Sequence, residues 1–351
     1  MPINFIEKHT ISYDCDKIIY IPYSGDVRRC RFCKRIESDG VSFKHKAHAI
    51  LESLGNHNLL YEEECDDCNQ NLSNLEQNLT NFVAPLLLTH GIKGKPKKGK
   101  NDVRGIKTES LEINNREGLF IADLNKQLSD QIFPKNNRSN GLQSLDSEGS
   151  MKWHKYKCAN VYRTLCKFVI STVSFENLYL FDKTIDWIKG QIFDLSNCIS
   201  FYLITNDFVK SPRIITSILT SKNEEVVLVF SFFRIANILF AYEVPLFCRC
   251  SNLTKEKKLE IFNAIIKCVD FQGDFRELNL HSEEYTCNQI NFSLVSEDLL
   301  KCGKDYFVIN SKELIEKFLS KDLDICAVIS KGPDTISEFT KCFLEKNEEK
   351  G

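Results

Sequence analysis

Three absences narrow the possibilities for this 351-residue chain. It lacks an apolar run of membrane-spanning length: its longest, 226–233 and 235–242, are separated by Arg234, and a bilayer helix needs about 20 apolar residues. It lacks a charge excess, since 46 Lys and Arg stand against 48 Asp and Glu for a net of -2. Any basic surface must therefore be local. It also lacks an apolar stretch behind a basic start at Met-Pro-Ile-Asn-Phe-Ile-Glu-Lys-His, so the expected setting is a reducing cytoplasm, with no membrane partner. No internal repeat or low-complexity tract is present.

What the chain does have is cysteine, 15 in all. In a reducing compartment, paired Cys-x-x-Cys motifs read as metal sites rather than disulfides. Cys30-Arg-Phe-Cys33 and Cys65-Asp-Asp-Cys68 are two such knuckles, and together they supply the four thiolates of a tetrahedral structural zinc. Cys158, Cys166, Cys198, Cys268, Cys326 and Cys342 sit among apolar neighbours at scattered spacing and read as small core hydrophobes. Cys248, Cys250 and Cys287 fit no common zinc spacing and read as ordinary thiols.

Hydrophobic content of 42% and charged content of 27% suit a globular chain of two domains. Residues 17–23 read as a strand, 41–50 as a second, 54–57 as a turn and 59–60 as the return strand. Leu72, Leu75, Leu79, Phe82 and Val83 then recur at helical spacing up to Pro85, where the helix is expected to end. Glu62-Glu63-Glu64 reads as a solvated charge run. Residues 91–107 hold six lysines and Arg104 against Asp102, a net of about +6. With their glycines and proline they form a basic loop, and Lys93, Lys95, Lys97, Lys98 and Lys100 are candidate phosphate contacts. Residues 108–124 alternate as strands. Residues 134–150, rich in Asn, Ser, Gly and Asp, read as a linker. Beyond it, a helix is expected at 158–173 and another at 175–189, capped by Ser174. Strands are expected at 199–205, 213–219, 225–233 and 235–242, with helices on one face of their sheet, then a helix at 254–269. Short strands at 290–295 and 306–309 and a helical C-terminus from Ser311 complete the reading. The domains are thus 1–133, a linker 134–150, and an α+β domain 151–351.

Between the knuckles lie Lys46-Ala-His48-Ala-Ile50-Leu-Glu-Ser-Leu-Gly-Asn56, and Asn69 follows the last cysteine directly. Phosphodiester hydrolysis needs a base to take a proton from water and a divalent cation to offset charge on the phosphate. A neutral imidazole can be that base near neutral pH. Another group must fix its second ring nitrogen, and an oxygen donor must reach the cation. His48, Asn56 and Asn69 occur in the order those roles require.

This stretch resembles the HNH endonucleases, whose ββα-metal motif is named for its His/Asn/His order, with Asn often in the last place. It is most similar to the zinc-knuckle branch found among restriction-like and phage-defence nucleases. The resemblance implies an N-terminal ββα-metal domain with structural zinc, joined to a C-terminal mixed α+β domain. It implies His48 as general base, Asn56 as its orienting group, Asn69 as ligand of a catalytic Mg2+ or Mn2+, and Cys30, Cys33, Cys65 and Cys68 as zinc ligands. The implied activity is cleavage of DNA, in restriction of foreign phage DNA. The family's usual acid before the base is absent, because position 47 is alanine. Either Asn69, waters and the DNA phosphate hold the cation, or another group such as Glu52, His45 or His57 replaces it. The C-terminal domain would read modified bases, form a homodimer, or bind an activating ligand. Two alternatives stand beside this reading: a non-catalytic, zinc-stabilised DNA-binding protein, and an RNA-directed nuclease.

Overall fold

The computed structural model describes residues 5–89, 92, 147–221, 226–247, 253–268, 275–278 and 282–294, and the strand segments 105–107, 111–116, 119–124, 299–302, 306–309 and 326–330. The fold is mixed α+β. Two compact units are each assembled from two pieces of chain: Met1–Val83 with His154–Cys287, and Ala84–Trp153 with Asn288–Gly351.

The first unit opens with β1 (Phe5–Asp14) and the short β2 (Ile19–Ile21), β3 (Ala47–His48) and β4 (Leu59–Tyr61). Of the stretch 41–50 only two residues are strand. Helix α1 runs from Asp66 to Thr89, and Asp66 and Asp67 in its first turn suit the positive end of the helix. Pro85 does not end it. Proline costs the helix one backbone bond and some crowding, while Leu79, Val83 and Leu87 are wholly buried along its length.

Three strands of the second unit follow, β5 (Gly105–Lys107), β6 (Leu111–Arg116) and β7 (Leu119–Leu124), as the alternation at 108–124 predicts. Of the expected linker, 134–146 lie outside the described residues, and 147–150 instead open strand β8 (Ser147–Lys157). Helix α2 (Cys158–Thr172) matches its expected span and is buried along most of its circumference. The helix expected at 175–189 is instead a 3-10 turn, Phe175–Phe181, leading into α3 (Asp182–Ile188). Ser174 makes no capping bond; its hydroxyl accepts from Asn177 Nδ2 at 3.0 Å.

Strands β9 (Ser200–Ser221) and β10 (Val227–Glu243) each join two stretches that the sequence separates. Arg234 looks like a break, yet register shifts between Arg234, Ala236 and Ile238 carry the ladder past it. Ala236 adopts a φ of 50 there, the irregular backbone expected of a bulge. After β10 come α4 (Lys255–Cys268), β11 (Arg276–Glu277), β12 (Tyr285–Leu294), β13 (Leu299–Cys302), β14 (Tyr306–Ile309) and β15 (Cys326–Ser330).

β1, β9 and β10 form an antiparallel sheet, with β11 also on β9. Helices cover both of its faces rather than one. Phe230 meets Phe262 of α4, whereas Phe233, three residues on and so pointing the other way, meets Phe168 of α2. β2, β4 and β3 make a separate three-stranded sheet, and β8 pairs with β12. In the second unit the order is β13-β14-β15-β7-β6-β5, with β15 parallel to β7. Residues 326–330 are therefore strand where a helical C-terminus was expected; 311–325 and 331–351 lie outside the described residues.

Candidate functional site

The four knuckle cysteines converge. Their sulfur atoms all lie within 4.8 Å of one another, and Cys33 Sγ is 3.7 Å from Cys65 Sγ. A tetrahedron with metal–sulfur bonds near 2.3 Å has edges of about 3.8 Å, so the set can hold a metal ion and is consistent with zinc. Cys30, Cys65 and Cys68 are buried. A hydrogen bond with Cys68 pulls the Cys30 thiol down to about 5 against the opposing effect of burial, helped by the amides of Cys65, Cys33 and Phe32. Burial pushes Cys65 up to about 12, and the bond to Cys30 raises Cys68. Backbone dipoles aimed at one sulfur favour a thiolate there, the form a metal requires. Four sulfurs would fill a tetrahedral metal's coordination and leave no open position, the pattern of a structural rather than a catalytic zinc site.

The cluster is tied to its surroundings by buried charge. Arg31, inside the first knuckle, bonds Glu63 Oε2 through Nε at 2.8 Å and Nη2 at 2.5 Å. Its Nη1 donates to the carbonyls of Ile170 and Val173 at 2.7 and 2.6 Å, closing the C-terminal end of α2. Lys167 of α2 reaches Glu64 at 3.0 Å and Glu76 of α1 at 2.5 Å. Burial disfavours its charge, but the two carboxylates outweigh this and hold its pKa above the usual lysine value. Glu63 and Glu64 are thus 1% and 2% exposed, not a solvated run. Their partners stand 32 and 103 residues away, beyond the reach of local sequence pattern.

Strand β3, a turn, strand β4 and helix α1 follow in the order expected. The turn is clasped by Asn56, which is fully buried. Its Nδ2 donates to Ile50 O at 2.5 Å and Leu59 O at 3.0 Å, and its Oδ1 accepts from Asn58 N at 3.1 Å and Leu59 N at 2.8 Å. Those bonds use both donors and both lone pairs of the amide. Asn56 therefore braces the backbone of the turn, and its amide is used up there rather than on the His48 ring as expected. Gly55 just before it has a φ of 87, a conformation that favours glycine. Asp66 fixes the approach to β3 by accepting from Ser42 Oγ and the amides of Lys44 and His45. Burial opposes its ionisation, but these bonds outweigh it and hold the carboxyl well below the usual range.

His48 is 27% exposed, and its Nε2 lies 3.6 Å from Glu52 Oε2. The other oxygen of Glu52 is 4.0 Å from His57 Nδ1, so one carboxylate stands between two imidazoles. Ala47 explains its own identity: at 2% exposed and paired with Tyr61, it is on the buried side of the sheet. An acid there would bury a charge. The acid on the His48 side is Glu52. His45 pairs with Asp66 at 3.0 Å. Asn69 stands half-buried in the first turn of α1, directly after Cys68. Lys93, Lys95, Lys97, Lys98 and Lys100 lie outside the described residues, as do Cys248, Cys250 and Cys342. Cys158, Cys166, Cys198 and Cys287 are free thiols.

No protein-family model matches this chain, and neither a curated protein nor a solved structure is similar to it at a significant level. No helix among the described residues is long and apolar enough to cross a membrane.

Proposed function

We propose that the protein is a metal-dependent endonuclease of the HNH kind that hydrolyses DNA phosphodiester bonds, in restriction of foreign DNA. The observation that carries this reading is His48, partly exposed on a strand whose turn is clasped by Asn56 and that lies in the chain between the two halves of a four-cysteine cluster. In this reading the cluster holds zinc and only builds the scaffold. His48 takes the proton from the attacking water, and Asn56 keeps the strand and turn in place. Asn69 and Glu52 would hold the Mg2+ or Mn2+, which stabilises charge on the scissile phosphate.

The test is supercoiled plasmid incubated with purified protein in Mg2+ or Mn2+, beside His48→Ala. Nicking that falls on the order of 100-fold or more in the variant, with zinc content unchanged, supports a general base. If neither protein cuts with any metal or DNA source, the enzyme reading is wrong and a zinc-stabilised binding protein takes its place. Preference for an RNA strand would move the substrate class instead.

A further inference from the structure

The small sheet that carries His48 has two unlike faces. Ala47, Leu59 and Tyr61 are buried. Tyr20 pairs with Leu60, and Leu60 with His48, so those three form one row across the strands. Residues in such a row share a face, here the outer one. The Tyr20 ring is 41% exposed, yet it is held in place. Its hydroxyl donates to Glu62 Oε1 at 2.8 Å, and the same oxygen accepts from Arg28 Nη2 at 3.1 Å. Lys46, two residues before His48, places its ammonium 5.4 Å from the Tyr20 ring centroid. Arg28 is spent on Glu62 and the Phe43 carbonyl. Lys46 is exposed, and among the described residues it has no carboxylate partner. This outer face therefore presents an anchored aromatic ring, an ammonium and an imidazole.

Two strand spacings separate Tyr20 from His48, about 10 Å, roughly three stacked nucleotides at 3.4 Å each. An aromatic ring on a surface can stack only on a base that has left its duplex. The cation beside it complements a phosphate. We propose that this outer face is the substrate platform: an unpaired base stacks on Tyr20, Lys46 contacts the adjoining phosphate, and His48 meets DNA strands with unpaired nucleotides beside the cut. This rests on the nuclease reading of His48 but is tested by binding.

The experiment measures fluorescence anisotropy of the full chain carrying His48→Ala, with an oligonucleotide of about 12 nucleotides as single-stranded DNA, as its duplex, and as single-stranded RNA. Tyr20→Ala should weaken single-strand binding on the order of tenfold and leave duplex binding little changed, while Tyr20→Phe, which keeps the ring but loses its bond to Glu62, should weaken single-strand binding less than Tyr20→Ala. Lys46→Gln should lower the salt slope for the single strand by about 0.7. The platform is refuted if Tyr20→Ala affects single strand and duplex alike or neither, or if Tyr20→Phe loses as much as Tyr20→Ala. Tyr20-dependent binding of both DNA and RNA single strands supports the platform. Tyr20-dependent binding by a chain that cuts nothing keeps the platform and overturns the nuclease reading.

Discussion

Replacing Lys167 with methionine isolates the electrostatic bond between the knuckle region and α2. Methionine is unbranched and similar in length, so the cavity left behind is small. What remains is Glu64 and Glu76, which lose an ammonium at 3.0 and 2.5 Å in a site where Lys167 is 2% exposed. Leaving a buried charge without its partner costs about 3–5 kcal/mol. Glu64 keeps the Tyr61 hydroxyl as a donor, which argues for the lower half of that range. The assay is urea unfolding of the full chain, and the cost is read from the shift in midpoint at constant slope. Its pH dependence carries a sign. Burial raises the Glu64 pKa above its ordinary 4.5, so the folded variant favours the protonated acid. The penalty should therefore be full near neutral pH and shrink as pH falls through the raised value toward 4.5. In the parent protein Lys167 is raised above 10.5, so its stabilising effect is complete below that pH and fades only as pH climbs past the folded value. A cost under about 1 kcal/mol, the range of an exposed pair, or one equal at pH 4.5 and 7.5, would refute the reasoning.

Cys65→Ser should release the metal and unfold the knuckle region, because structural zinc contributes folding free energy directly; equal metal content by mass spectrometry and an unchanged melt would remove the zinc assignment. Asn56→Ala, which deletes four hydrogen bonds, three of them buried, should cost about 2–4 kcal/mol in urea unfolding. It should also lower plasmid nicking although the amide touches no substrate. Nicking unchanged at full folding would leave the clasp without a role in the site. Glu52→Gln should weaken Mn2+ binding, read by the paramagnetic broadening of water protons, with the metal content of the four-cysteine cluster unaltered; equal broadening would exclude Glu52 as a ligand.

Much of the site could be read from the sequence because its signals are local. The two Cys-x-x-Cys spacings, the Gly-Asn turn and the helical period after Asn69 all fall within 30–83, and the structure brings the four cysteines together. Helix α2 is similarly legible, since its apolar residues recur without a break. The failures share a cause: they depend on partners remote in sequence. Glu63 and Glu64 look like surface charge until Arg31 and Lys167 are placed beside them. Arg234 looks like a strand end until β9 holds the ladder together across the bulge. Pro85 looks like a helix stop until Leu87 is found buried beyond it. The backbone role of Asn56 is not legible either, because nothing in a sequence reveals that an amide is already saturated.

The two-piece construction of the first unit sets a timetable for its synthesis. Thr10 of β1 meets Ser217 of β9, 207 residues later, and at 5–20 residues per second a ribosome takes about 10–40 s to supply that partner. Arg31, Glu63 and Glu64 likewise wait for residues 167–173. During that interval the nascent chain carries an unpaired strand edge and charges destined for burial, while its four thiols are already available to metal. Metal capture can thus precede completion of the surrounding structure. A fragment ending at residue 133 would remain in that waiting state, with its cysteines assembled and no α2 to receive them.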